Sequence, residues 1–298
     1  MAKPPHQSGY DADITADCER LLVTLIRGLG PWQRSVYLVG GLVPRYLVKA
    51  RPPEVRAHAG TGDIDLVVDL AMLTDIGAYE TLEKNLQRLG FERAKVDGVK
   101  VSWRWQAKTE RGVTLVVEFL ADDPNLRAAA IQPLPTKGKV SALNIPHASM
   151  VFDLHDKVLL TAEQLNGEGV TTIEVAHANL VSFCCLKTFA FAQRNARKDA
   201  HDLVYCLVNA EGGIEAAAEQ FKTAMGGQHA DVISQALYLM ARHFCDEDPD
   251  KAYRRDGPVA VAKFEIAGDG EEAREDQALR QRNVAEAMGK FIDALKAG

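Results

Sequence analysis

The chain has 298 residues, 47% hydrophobic and 26% charged, with a formal net charge of −6. A chain this long can bury its own core without disulfides or structural metal, and these fractions are those of a globular protein rather than a disordered one. The negative balance argues against a protein that coats nucleic acid, though it allows a local basic groove.

The five cysteines, Cys18, Cys184, Cys185, Cys206 and Cys245, contain no CxxC pair, and the histidines show no zinc-ligand spacing. Buried free thiols in a reducing cytoplasm are expected. Residues 1–9 are polar and lack the apolar core of a secretion signal. No apolar run approaches the roughly 18 residues of a membrane span.

In chain order, residues 13–27 carry Leu21, Leu22, Leu25 and Ile26 on one helical side, and Gly28, Gly30 and Pro31 stop that helix. Val36 to Val39 read as a buried strand ending at Gly40-Gly41, with a helix expected over 42–50. Residues 51–62, opening Arg51-Pro52-Pro53, read as a loop. Residues 63–68 form the next strand. Alternation puts Asp63 and Asp65 on one face, and Ile64 and Leu66 on the other. A helix capped by Thr74 is expected over 74–89. A hairpin over 93–106 turns at Asp97-Gly98, and a strand over 113–120 carries Glu118. Residues 125–148 read as irregular, and 151–175 as a second hairpin around Asn166-Gly167.

From His177 the pattern turns helical, over 180–193, 199–209, 213–225 and 230–244. Residues 245–257 read as a loop and 259–266 as a strand. A long helix follows over 271–295, with a stripe from Leu279 through Val284, Met288 and Phe291 to Leu295. The expectation is an α/β (α+β) protein: a mixed sheet with flanking helices over 1–176 and a helical domain over 177–298.

Asp63 and Asp65 are the sharpest chemical signal. Two carboxylates on one strand face repel unless a cation sits between them, and hard dications such as magnesium or manganese take such oxygen ligands along with substrate phosphates. Taken alone, the pair also reads as a solvated strand end; what sharpens it is the core strand Leu66-Val67-Val68 that follows. Gly40-Gly41 ends a strand and opens a helix, so its backbone N–H groups can approach phosphates, and Arg45 lies just beyond. Neither a dinucleotide fingerprint nor a P-loop is present. Glu118, a lone acid in an apolar strand, fits either an edge facing solvent or a third metal ligand able to take a hydroxyl proton. Lys187 and Arg194 lie seven apart on one helical face, with Lys198, Asp199 and Asp202 opening the next helix. A charged face with a helix cap is the plainer reading of that cluster.

In this order the pieces resemble the polymerase-beta-like nucleotidyltransferase superfamily, and within it the abortive-infection AbiEii/AbiGii toxin family. The superfamily's GG turn, its hDhDh strand (h apolar) and its later carboxylate correspond to Gly40-Gly41, Asp63-Ile64-Asp65 and Glu118. The toxin family's KxxAxxxR and RDxxDL correspond to Lys187, Ala190 and Arg194, then Lys198-Asp199-Ala200-His201-Asp202-Leu203. Lysine at 198 in place of arginine keeps the charge but loses the bidentate fork. The 21 residues between Gly41 and Asp63 exceed the superfamily's usual spacing.

The resemblance implies transfer of a nucleoside monophosphate from an NTP to a hydroxyl of RNA, such as a tRNA end, or of a protein. Asp63, Asp65 and Glu118 would serve as metal ligands. Gly40, Gly41, Arg45, Lys187, Arg194, Lys198 and Asp202 would serve the nucleotide, with Lys187 and Asp199 also catalytic. It further implies a toxin with a separately encoded antitoxin. A small-molecule nucleotidyltransferase of the aminoglycoside-modifying kind, which the negative charge favours, and a catalytically idle nucleotide- or partner-binding member are the alternatives.

Overall fold

A computed structural model describes residues 4–75, 82–134 and 138–296. The elements run α1 (Ala12–Leu29), β1 (Val36–Val39), α2 (Pro44–Leu47), β2 (Asp63–Val68), α3 (Leu70–Asp75), α4 (Leu82–Arg88), β3 (Glu92–Val96), β4 (Val99–Lys108), β5 (Thr114–Ala121), β6 (Ile131–Pro133), β7 (Ser141–Asn144), β8 (His155–Glu163) and β9 (Val170–Ala178). Helices complete the chain: α5 (Leu180–Arg194), α6 (Arg197–Val208), α7 (Gly213–Met225), α8 (Ala230–Phe244), α9 (Asp256–Glu265) and α10 (Glu271–Lys296). This is the expected α/β class, with a mixed sheet, flanking helices and a helical C-terminal part. Among the described residues no helix is long and apolar enough to cross a membrane.

Contacts divide the chain into two units. One comprises Asp11–Val43 and Gly60–Ala178; the other comprises Met1–Tyr10, Pro44–Ala59 and Asn179–Gly298. The first contains the sheet, ordered β3-β4-β5-β2-β1-β9-β8, with β7 pairing both β5 and β6. β2 is central, antiparallel to β1 and parallel to β5. Its inward residues Ile64 and Leu66 are fully buried, as are Leu38 of β1 and Val117 of β5. Helix α1 begins at an Asp11 cap that accepts from the Asp13 N–H, and buries Cys18, Leu21, Leu22 and Leu25. Each large apolar side chain buried in this way contributes about 1.5–3 kcal/mol.

The second unit packs α6 against α5 and α9, and α10 against α7, α8 and α9. It takes in two segments from the N-terminal half of the sequence, which composition along the chain cannot reveal.

Several local expectations change. The helix expected over 42–50 is only Pro44–Leu47. The helix expected from Thr74 begins at Leu70, because Asp69 Oδ1 accepts from the N–H groups of Ala71 and Met72. Residues 76–81 of that segment lie outside the described residues. The irregular stretch 125–148 contains β6 and β7, too short for a periodic signal; β7 is held by pairing to β5, and β6 by pairing to β7. The strand expected over 259–266 is helix α9. Pro258 suits its first turn, and alternating valine and alanine fit a helix buried against α6 and α10. Residues 249–254 form a 3-10 turn inside the expected loop, and Leu279 is exposed rather than part of the α10 stripe.

Candidate functional site

In the sheet unit, Asp63 and Asp65 are half-buried on the face of β2 opposite Ile64 and Leu66. Asp65 is in direct register with Glu118 of parallel β5 and with Val39 of antiparallel β1. Registered neighbours project to the same side of a sheet. Three acids from two adjacent strands therefore share one face, and β1 delivers the Gly40 turn beside them. Gly40 has φ +75°, and a Cβ there would overlap the Asp65 carboxylate. Only glycine allows backbone to lie against that carboxylate in this conformation. The turn closes with the Val43 N–H donating to the Gly40 carbonyl at 3.3 Å.

Glu118 also has a basic neighbour that the sequence reading missed. Arg104 of β4 is in register with it, Nε lying 3.1 Å from Oε1. The Nε–H has no hydrogen-bond partner, so the contact is an ion pair without an aligned hydrogen bond. Among the described residues, Asp63, Asp65 and Glu118 do not form a set with ligand atoms mutually within 4.8 Å. The local field is negative all the same: burial first, then the charges of Asp63, Asp17 and Asp65, push the Cys18 thiol far above its ordinary range. An all-oxygen donor set on a half-buried face beside a glycine turn fits a hard dication.

The second unit organises the other cluster. Asn179 caps α5 by accepting from the Ser182 N–H, and α5 ends in a left-handed Asn195. Lys187 is buried, with Nζ 3.2 Å from Asp199 Oδ1 and 2.6 Å from Asp202 Oδ2. Burial disfavours its charge, but the two carboxylates outweigh that and hold the ammonium above its usual range. Arg194 donates to both Asp199 oxygens, at 2.7 and 2.8 Å. Asp202, fully buried, also accepts from Lys198 at 2.9 Å and from His58 at 2.8 Å. Burial pushes the Asp202 carboxyl up, yet these cations hold it well below the usual carboxylate range. Arg45, placed with the glycine turn by sequence, lies in α2 of this unit, while Gly40 and Gly41 lie in the sheet unit.

Sequence proximity thus brought Lys187, Arg194, Lys198, Asp199 and Asp202 into one network, which His58 joins from the loop before β2. Nothing local in that loop marks His58, because its partner is 144 residues away. Burial drives the His58 imidazole down to about 4, against the opposing pull of Asp202. Among the described residues, His58, His201 and Asp202 offer metal-ligand atoms within 4.8 Å of one another. The Asp202 oxygens are already taken by His58 and two ammoniums, so the grouping is a hydrogen-bonded network and a poor home for a dication.

No family model matches the chain, and no curated protein matches it. Among solved structures, it is similar to an antigenic nucleotidyltransferase-like protein from Paracoccidioides brasiliensis, with 14% identity, 80% of this chain and 92% of that chain covered, and a TM-score of 0.41. At that score the likeness carries no argument about activity.

Proposed function

We propose that the chain is a metal-dependent nucleotidyltransferase that moves a nucleoside monophosphate from an NTP to an acceptor hydroxyl. The observation that carries this reading is the register of Asp65 against Glu118, with Asp63 on the same face and the Gly40 backbone against the Asp65 carboxylate. Asp63 and Asp65 would hold magnesium or manganese, with Glu118 as the third carboxylate when it releases Arg104. When bound, the metal supplies positive charge for the phosphate oxygens. The Gly40-Gly41 backbone binds phosphate through its N–H groups. The acceptor oxygen bonds to the α-phosphorus, the bond from that phosphorus to the α–β bridging oxygen breaks, and pyrophosphate leaves. Glu118 takes the acceptor proton.

The Lys187–Asp199–Asp202–Arg194 network fixes α5 against α6 and so positions the helical unit's own cations, Arg194 and Lys198. The resemblance noted from the sequence supports RNA or protein as acceptor, and a toxin's role opposed by an antitoxin. The test is incubation with each labelled NTP, magnesium, and separate RNA, protein and small-molecule pools. Label entering one pool with wild type, and none with Asp63→Ala/Asp65→Ala of unchanged circular dichroism, is expected. Undiminished labelling by that double variant would remove the assignment. Label in the small-molecule pool alone would select an aminoglycoside-type acceptor.

A further inference from the structure

The helical unit contains a cavity of about 280 Å³ that the transferase reading does not use. Its lining includes Gln7 and Arg56 from the two N-terminal segments, His201, Tyr205 and Asn209 on and just after α6, Glu265 of α9 and Arg280 of α10, with Val204 and Val208 as apolar wall.

Three side chains of this lining spend their donors on backbone carbonyls. Gln7 Nε2 donates to the Ala57 carbonyl at 3.0 Å, Asn209 Nδ2 to the Tyr205 carbonyl at 2.8 Å, and the Tyr205 hydroxyl to the Arg56 carbonyl at 3.1 Å. Each side chain keeps acceptor capacity on its oxygen. His201 is held differently. Its Nδ1 lies 2.9 Å from Glu265 Oε1, and Arg280 grips both oxygens of that carboxylate at 2.7 and 2.9 Å. Burial would raise Glu265, but His201 and Arg280 hold it down to about 2, so it is an ionised, acceptor-only group. The imidazole Nδ1 therefore donates to that carboxylate. The ring's Nε2 is buried and has no hydrogen-bond partner, a state native interiors rarely tolerate without a ligand or water. In charge, the lining holds two arginines, Arg56 and Arg280, and one carboxylate, Glu265, which Arg280 already grips, leaving one cation in excess.

Three acceptors beside a surplus guanidinium complement a small molecule that carries several hydroxyl donors and an anion. We propose that this cavity binds a phosphorylated sugar. The Arg56 guanidinium takes the phosphate, and the hydroxyls donate to Gln7, Tyr205 and Asn209. A free sugar phosphate and the ribose-phosphate part of a nucleotide share this chemistry.

The experiment is calorimetric titration of the full-length chain, in EDTA, with ribose 5-phosphate, glucose 6-phosphate, AMP, ribose and inorganic phosphate. Saturable binding of a phosphorylated sugar, one per chain and tighter than ribose or phosphate alone, is expected. Arg56→Gln should weaken it tenfold or more and Gln7→Leu several-fold; Arg56 is exposed and Gln7 only half-buried, so both variants should fold. Asp63→Asn/Asp65→Asn should leave binding unchanged, which separates this site from the proposed transferase site. AMP binding without sugar-phosphate binding, retained in that double variant, assigns the nucleotide as the source. No saturable binding, binding indifferent to both Arg56→Gln and Gln7→Leu, inorganic phosphate binding as tightly as the sugar phosphates, or loss of binding in the Asp63/Asp65 variant would each overturn the proposal.

Discussion

Asp202→Asn and Lys187→Met perturb the same buried network from opposite sides, and the structure orders their costs. Asp202 is fully buried and accepts from three groups: Lys187 at 2.6 Å, Lys198 at 2.9 Å and His58 at 2.8 Å. The Lys187 and Lys198 side chains are only 11% and 12% exposed, so neither ammonium can turn freely to water once the negative charge is gone. Removing one member of a buried ion pair typically costs about 3–5 kcal/mol, and Asp202→Asn takes a carboxylate from two ammoniums at once, leaving Lys187 only Asp199, which Arg194 also holds. Lys187→Met keeps the apolar stem and leaves each carboxylate a partner: Arg194 on Asp199, and Lys198 with His58 on Asp202. Its cost should be nearer about 1–3 kcal/mol, since the lost charge-assisted contacts are offset by no longer burying an ammonium. Against a typical total stability of about 5–15 kcal/mol, Asp202→Asn should move the urea midpoint by roughly 1–3 M and Lys187→Met by clearly less. Helical circular dichroism is the proper probe, because Trp32, Trp103 and Trp105 all belong to the sheet unit. If Lys187→Met proves as costly as Asp202→Asn, or Asp202→Asn costs under about 1 kcal/mol, the network does not bear on stability as argued.

Three other outcomes follow from the geometry. His58 has a folded value of about 4, below the ordinary 6.5, so the folded state binds fewer protons between those limits. Its contribution is complete above pH 6.5 and is lost as pH falls toward 4, by about 1.4 kcal/mol per pH unit at most; His58→Asn should flatten that part of the stability–pH curve, and an unchanged slope would exclude His58 as its source. Gly40→Ala forces a left-handed alanine against the Asp65 carboxylate, so the midpoint should drop by the equivalent of about 1–2 kcal/mol and labelling should vanish; wild-type labelling would mean that the turn is not part of the site. Glu118→Gln should lower labelling ten- to a hundred-fold while costing no more than about 1 kcal/mol of stability, since its pair with Arg104 is partly exposed. Full turnover in that variant would assign Glu118 to Arg104 alone.

Much of the sheet unit was legible locally. Alternation placed Asp63 and Asp65 on one face, Asp97-Gly98 marked its hairpin with both residues at positive φ, and the β5 pattern isolated Glu118. These follow from short-range rules, strand period and turn chemistry, that a single segment obeys by itself. The order of the α5–α6 charges was also local: Lys187 and Arg194 on one helix, Asp199 and Asp202 on the next. Tertiary structure decided everything that depends on long-range partners. Arg104 meets Glu118 only because β4 and β5 pair in that register. His58 reaches Asp202, and residues 4–10 and 44–59 join the helical unit, through contacts far apart in sequence. The same holds for α9, whose alternating apolar residues suit either period: a strand is stabilised by pairing and a helix by packing, and burial against α6 and α10 selected the helix. The unpartnered His201 nitrogen exists only by virtue of what surrounds it, because hydrogen-bond satisfaction is a property of the assembled interior and not of any segment.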